Sequence, residues 1–112
     1  MVTPSVASVV LVRFPFSDLS ANKLRPAVVL ACVERNDWIL CQVTSNPYSD
    51  SKAIQIDDSD FESGSLVRTS YARPGKLFSA STSIMERIVG ELKQPKLTAV
   101  VEAVIAVLRP TA

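Results

Sequence analysis

The chain of 112 residues is 47% hydrophobic and 21% charged, and its formal net charge is only +1. This length suffices to bury a core without disulfides or metal, and this composition excludes a disordered or fibrous protein. The near-neutral charge excludes a strongly basic nucleic-acid-binding domain, and a chain with no histidine and two cysteines is poorly equipped to hold zinc. We expect one domain spanning residues 1–112.

The start of the chain and its apolar runs predict a cytoplasmic protein without membrane contact. The first residues lack the basic region that opens a signal peptide, and their apolar run ends at Arg13. No run reaches the roughly 18 consecutive apolar residues of a membrane span. In a reducing compartment, Cys32 and Cys41 are expected to remain buried thiols; a disulfide across a hairpin is the alternative.

Three apolar runs in the first half predict three strands of a meander, at residues 6–14, 26–33 and 38–44. A turn at residues 35–37 joins the last two. The middle run is apolar on both alternating faces, which is typical of a central strand covered on both sides. The polar segment 16–24 is interpreted as a loop.

The second half predicts shorter and less regular elements. Pro-Gly is a strong turn signal, so we expect the chain to break at Arg73-Pro74-Gly75. The predicted elements are a short strand at 53–56, an acidic loop at 57–64, one or two irregular strands within 65–81, and a short strand at 87–92.

Helical spacing appears only near the end of the chain, between Pro95 and Pro110. Apolar residues recur there at i, i+3, i+4, i+7, i+8 and i+11, which predicts an amphipathic helix. They are Leu97, Val100, Val101, Val104, Ile105 and Leu108. The fold class expected is therefore mainly β, an SH3-like antiparallel barrel with a C-terminal helix.

Charge is unevenly distributed along the sequence. Acidic residues outnumber basic ones between residues 34 and 62, and the balance reverses between 64 and 96. A folded surface with this pattern presents a basic strip beside an acidic rim. An anionic ligand explains the strip, and an ordinary solvated surface explains it equally well.

Three segments carry a family resemblance. The sequence VVLVRFPFSDLSANKLRPAVVLA at residues 9–31 resembles the opening of the MazF/PemK-like toxins, which share the CcdB-like fold. CQVTSNP at residues 41–47 is similar to the family's third strand, which ends in a threonine. SYARPGKLFSAS at residues 70–81 looks like the family segment that carries a further arginine.

The resemblance implies a cytoplasmic homodimer that cuts single-stranded RNA at short preferred sequences, without metal or other cofactor, and that a cognate antitoxin silences. It assigns catalysis to Arg25 and Thr44. Arg73, Ser45 and Asp18 become candidates for catalysis or RNA binding, and the loops are expected to contact RNA through Ser17, Lys23, Asn46 and Lys76. Some relatives have an aspartate where this chain has Gly75, which leaves the general base open.

Metal-free RNA cleavage requires a group that takes the 2'-hydroxyl proton, one that stabilises the phosphorane and one that protonates the leaving oxygen. A guanidinium such as that of Arg25 clamps phosphate oxygens in a bidentate manner. A guanidinium is a poor base, because it keeps its proton at neutral pH. Thr44 is suited to donate a hydrogen bond, and Asp18 is the nearest motif carboxylate for the proton.

Each candidate also has a purely structural explanation. An arginine before a strand proline is commonly a surface residue, Thr44 suits a strand end, and Asp18 suits a turn cap. Two other functions stay open, namely a non-enzymatic CcdB-like toxin that binds DNA gyrase and a catalytically inactive RNA-binding module. The strand that starts with Arg-Pro and the strand-end threonine favour the enzyme.

Overall fold

A computed structural model of the chain describes residues 2–13 and 24–110, which form seven strands, one α-helix and two short 3-10 turns. The 3-10 turns cover Asp58–Asp60 and Thr82–Ile84. The main elements are β1 (Ser8–Arg13), β2 (Leu24–Glu34), β3 (Asp37–Thr44), β4 (Ile54–Ile56), β5 (Phe61–Gly64), β6 (Ser70–Ser81), β7 (Met85–Leu92) and α1 (Gln94–Leu108).

The strands form one antiparallel sheet in the order β4-β6-β3-β2-β1-β7-β5. The sheet curls into a half-barrel with the helix at the C-terminal end of the chain, so the predicted fold class is confirmed. The predicted meander is also confirmed, because β1, β2 and β3 are neighbours in the sheet. Asn36 closes the turn between β2 and β3 with a φ of 66°, a conformation that asparagine tolerates well.

Both faces of the central strand β2 are covered, as its sequence predicts. Residues 27–29 have no exposed surface. Val28 belongs to an apolar cluster that includes Leu97 and Val100 of α1, whereas Ala27 and Val29 belong to a second cluster on the other face. The sheet therefore carries two apolar layers, and α1 covers one of them.

Helix α1 follows the predicted apolar stripe over most of its length. Pro95 lies in the first turn, where a missing N–H costs nothing. Leu97, Val100 and Val104 are buried, but Ile105 and Leu108 are 41% and 70% exposed. The predicted amphipathic helix is therefore present, and its apolar stripe is buried as far as Val104 and exposed in the last turn. Among the described residues, no helix has both the length and the apolar character needed to span a membrane.

The acidic segment 57–64 is not a loop throughout, because its second half is strand β5. Phe61 is 7% exposed and belongs to the apolar cluster beneath α1, which draws this segment onto the sheet. Two glycines let β5 approach β7 closely. A Cβ on Gly64 would lie 2.1 Å from the Val89 carbonyl oxygen, and one on Gly90 would lie 2.7 Å from Phe61.

Strand β6 is continuous, so the expected break at Arg73-Pro74-Gly75 is also wrong. The pairing with β3 changes register between Cys41↔Leu77 and Val43↔Ala72. Residues 73–76 of β6 therefore lie opposite Gln42 alone. The Pro-Gly signal marks a bulge in this strand, in which four residues lie opposite one.

The two cysteines do not face each other. Cys41 pairs with Val28 and is buried, whereas Cys32 pairs with Trp38 and is exposed. Both are free thiols, so the expectation of burial holds for Cys41 and is wrong for Cys32.

Candidate active site

Arg25 and Thr44 occupy facing positions on neighbouring strands. The pair Ala27↔Gln42 fixes the register between β2 and β3. If this register continues for two more residues, Arg25 on β2 lies opposite Thr44 on β3. Opposite residues of an antiparallel pair point to the same face of the sheet. Both residues are half-buried, and the Nε atom of Arg25 is shielded from solvent. The register thus brings the two predicted catalytic residues together at one end of the sheet.

A hydrogen-bonded turn fixes the Thr44 hydroxyl. Its oxygen accepts a hydrogen bond from the Asn46 backbone N–H at 3.1 Å, and the hydroxyl donates to the Asn46 carbonyl oxygen, also at 3.1 Å. A phosphate oxygen would have to replace that carbonyl as the acceptor. The hydrogen bond from the Asn46 N–H does not involve the hydroxyl proton, so it does not compete with such an acceptor. Ser45 and Asn46 are exposed on the same turn.

The loop between β3 and β4 continues through further short-range hydrogen bonds. The Tyr48 N–H donates to the side-chain oxygen of Asn46 at 2.9 Å, and the Asp50 N–H donates to the Pro47 carbonyl at 3.0 Å. Tyr48 has a φ of 56° and is 73% exposed. The loop is therefore locally ordered, and it presents an aromatic ring to solvent.

An ion pair connects this loop to the bulge in β6. The Nε atom of Arg73 donates to Oδ2 of Asp50 at 2.9 Å, and the two side chains are only 22% and 16% exposed. Oδ1 of Asp50 accepts from the Lys52 N–H at 3.0 Å. The hydrogen bond from Arg73 lowers the pKa of Asp50, so this residue is a carboxylate at neutral pH.

The buried thiol of Cys41, on the neighbouring strand β3, contacts the same bulge. Its Sγ donates to the Arg73 carbonyl oxygen at 3.1 Å. The pKa of Cys41 is raised to about 12, chiefly by burial. The hydrogen bond to the Arg73 carbonyl lowers this pKa in part, and the negative charge of Asp50 raises it further. Cys41 is therefore a neutral donor at physiological pH.

Arg73 itself is oriented toward the loop, since its side chain contacts Asp50 and lies over the ring of Tyr48. It stands two residues from Tyr71, the β6 partner of Thr44. At Gly75, an added Cβ would meet nothing within 4 Å, so space does not exclude an aspartate there. An open cavity of about 370 Å³ lies beside the bulge, and Lys76 is among its lining residues.

Three other predicted site residues, Asp18, Ser17 and Lys23, lie outside the described residues. Two residues with a clear place in the structure were missed from the sequence, namely Asp50 and Tyr48. Asp50 lies 23 positions before Arg73, in a polar segment that has no periodic pattern. The contact depends on the β6 bulge, so no local signal reveals it.

Comparisons with known proteins agree with this fold. A family model described as the PemK-like, MazF-like toxin of type II toxin–antitoxin systems matches residues 6–108. No curated protein sequence matches the chain.

Three solved structures are similar to the chain. An endoribonuclease in complex with its cognate antitoxin, from a mycobacterial species, has 11% identity and a TM-score of 0.76, with 98% of this chain and 99% of that chain covered. MazF from Deinococcus radiodurans has 17% identity and a TM-score of 0.75, with 96% and 98% covered. The Mycobacterium tuberculosis toxin MazF-mt6 has 14% identity and a TM-score of 0.71, with 94% and 99% covered.

The curled sheet with its terminal helix and the family match together define the class of protein, a toxin of a type II toxin–antitoxin system. Because the family model covers nearly the whole chain, the chain belongs to the PemK-like, MazF-like toxin family. The solved structures, all below 25% identity, support the fold.

Proposed function

We propose that this toxin is a sequence-specific endoribonuclease that cleaves single-stranded RNA without a metal ion and thereby stops translation and growth. The proposal is supported by the register of β2 and β3, which, extended two residues beyond Ala27↔Gln42, brings Arg25 opposite Thr44 in a chain of the PemK-like, MazF-like family. The toxin acts as a cytoplasmic homodimer, and a cognate antitoxin silences it. Similar structures described as an endoribonuclease with its cognate antitoxin and as a MazE–MazF complex support this part of the proposal.

The proposed reaction is a transesterification within the RNA. The ribose 2'-hydroxyl attacks the adjacent phosphorus, the bond from phosphorus to the 5'-oxygen breaks, and that oxygen leaves with a proton. The products are a 2',3'-cyclic phosphate and a 5'-hydroxyl end. Arg25 would clamp the non-bridging oxygens as charge develops on them, and Thr44 would donate a further hydrogen bond.

The group that takes the 2'-hydroxyl proton is a separate question. Arg25 is a poor base, because a guanidinium side chain keeps its proton at neutral pH. Asp50 is the carboxylate beside Arg73, but both of its oxygens already accept hydrogen bonds and its pKa is lowered. Asp18 stays a candidate for the proton acceptor, and the identity of the general base stays open.

The test compares the wild type, Arg25→Ala and Arg35→Ala on a long single-stranded RNA in excess EDTA. Arg35 is a matched control, because it is exposed at the turn that closes the opposite end of the β2–β3 hairpin. We expect the wild type and Arg35→Ala to cut at the same short sequences. Loss of a preorganised donor should slow Arg25→Ala by about 10²–10³-fold with little change in melting temperature.

The chemistry of the ends tests the mechanism. Polynucleotide kinase should label the downstream fragments directly, because they carry a 5'-hydroxyl, and a 2'-deoxy nucleotide at the cleavage site should block cutting. Thr44→Ser should retain most activity, and Thr44→Val should lose it. Absence of any cutting by the wild type would refute the enzyme and favour a gyrase-binding or RNA-binding toxin, whereas 5'-phosphate ends would refute attack by the 2'-hydroxyl.

A further inference from the structure

The loop between β3 and β4 places an exposed aromatic ring beside basic side chains, a combination that is typical of single-stranded RNA binding. The guanidinium of Arg73 lies 6.0 Å from the centroid of the Tyr48 ring. Arg73 is held there by Asp50, so it covers one face of the ring. Since Tyr48 is 73% exposed, the remaining surface of the ring is free to stack on a base.

The backbone at Tyr48 adds a second observation. Its φ of 56° lies in the left-handed region, which bulky side chains rarely adopt. The hydrogen bond from the Tyr48 N–H to Asn46 maintains this conformation. Strained backbone of this kind concentrates at ligand-binding sites. Because this backbone conformation favours glycine or asparagine, a tyrosine here indicates that its aromatic ring binds a ligand.

A basic cavity of about 370 Å³ lies next to this loop. Its lining contains the carboxylate of Asp50 and the cations of Lys52, Arg73 and Lys76. Asp50 is already paired with Arg73. Lys52 and Lys76 are exposed, and among the described residues neither is within salt-bridge distance of a carboxylate, although the charge of Lys52 contributes to lowering the pKa of Asp50. The cavity therefore carries a positive charge that suits a phosphate group.

We propose that Tyr48, Lys52 and Lys76 form a nucleotide subsite for single-stranded RNA. One base stacks on Tyr48, and the neighbouring phosphate enters the cavity between the two lysines. The Asp50–Arg73 pair holds the ring and the cavity in place before RNA binds. The subsite rests on the proposed endoribonuclease function and deepens it, because it binds a nucleotide that flanks the phosphate at Arg25 and Thr44.

The subsite is tested by RNA binding, independently of cleavage. The probe is a short, fluorescein-labelled 2'-O-methyl RNA of mixed sequence, which has no free 2'-hydroxyl and so resists cutting. Fluorescence anisotropy gives the Kd for the wild type, Tyr48→Gly and Tyr48→Phe over a range of salt concentrations. We expect Tyr48→Gly to bind about tenfold more weakly, as for loss of one stacked base, and Tyr48→Phe to bind within twofold of the wild type.

Glycine accepts a positive φ, so Tyr48→Gly should retain the melting temperature of the wild type. The double variant Lys52→Ala/Lys76→Ala should reduce the slope of log K against log salt by about 0.7, the value for one phosphate of a single strand. Lys93→Ala is the matched control, because Lys93 is exposed before α1 and away from the cavity. It should leave the slope unchanged.

Three results would overturn the subsite: a Kd for Tyr48→Gly within twofold of the wild type, an equal loss in Tyr48→Phe, or an equal change of slope in Lys93→Ala. Cleavage of unmodified RNA is measured in parallel. If the wild type cuts RNA while the subsite variants bind normally, the subsite is wrong and the endoribonuclease stands. If the wild type binds through Tyr48 but cuts nothing, the endoribonuclease is wrong, and with it the role of the subsite in positioning a cleaved phosphate, whereas binding of RNA at Tyr48 is upheld.

Discussion

Replacing Asp50 by asparagine removes the charge that joins the β3–β4 loop to the β6 bulge while keeping the shape of the side chain. Two hydrogen bonds to the carboxylate are affected, from Arg73 at 2.9 Å and from the Lys52 N–H at 3.0 Å. Hydrogen bonds to charged groups contribute about 1.5–3 kcal/mol when buried. Because both partners keep some exposure, we expect a loss of about 2 kcal/mol at pH 7, or roughly 8 °C in melting temperature for a domain of this size.

The pH dependence of this effect has a definite sign. The pKa of Asp50 is lowered in the folded protein, chiefly by the hydrogen bond from Arg73. The carboxylate therefore stabilises the fold above the unfolded-state pKa of about 3.9, and this contribution is lost as the pH falls through the lower folded-state value. The difference in unfolding free energy between the wild type and Asp50→Asn should be largest near pH 7 and shrink below pH ~4.

Urea unfolding at pH 7 and at pH values below 4 measures both quantities. Asp58→Asn is the control, because Asp58 is an exposed aspartate on the short 3-10 turn. A double-mutant cycle with Arg73→Ala isolates the interaction between the two side chains. If Asp50→Asn costs no more than Asp58→Asn at pH 7, or if its cost is the same at low pH, the ion pair does not hold the loop as described.

Two further predictions concern the core. Gly90→Ala places a Cβ 2.7 Å from both the Phe61 ring and the Ser63 carbonyl oxygen, so urea unfolding should show a loss of about 1–3 kcal/mol, and wild-type stability would contradict the close approach of β5 and β7. A thiol reagent at neutral pH should modify Cys32 rapidly in the native protein, but Cys41 only after unfolding, because burial raises the Cys41 pKa to about 12. Mass spectrometry of the modified peptides checks the order, and equal rates would show that Cys41 is accessible.

The elements that the sequence predicts well are those with dense, local patterns. Strands β1 to β3 arise from apolar runs, and α1 from apolar residues at helical spacing. Strand β5 was missed because its assignment depends on two glycines, Gly64 and Gly90, that are 26 positions apart and meet only in the folded sheet. The Pro-Gly pair in β6 was read as a break, because a bulge and a turn share the same local residues.

The candidate site also contains residues that local sequence patterns predict and residues that depend on contacts between distant segments. Arg25 and Thr44 can be proposed from the sequence because one lies at the start of a recognisable strand and the other at the end of the next, but their catalytic roles stay predictions. The contact between Asp50 and Arg73 has no such basis, since it joins a polar loop to a bulge. Tyr48 was missed because a positive φ at a tyrosine has no signature in the sequence. The roles of Asp18, Ser17 and Lys23 stay predictions.

The order of the strands also determines how this sheet meets other molecules. The two outermost strands, β4 and β5, are the shortest, with three and four residues, whereas β2 and β6 have eleven and twelve and lie inside. Among the described residues, β4 pairs only with residues 70–72 of β6, and β5 only with residues 90–92 of β7, so the outer edges of these two longer strands have no neighbouring strand over most of their length. Unpaired backbone groups along a strand edge can pair with another extended chain, so the outer edges of β6 and β7 are the places where a further strand could join this sheet.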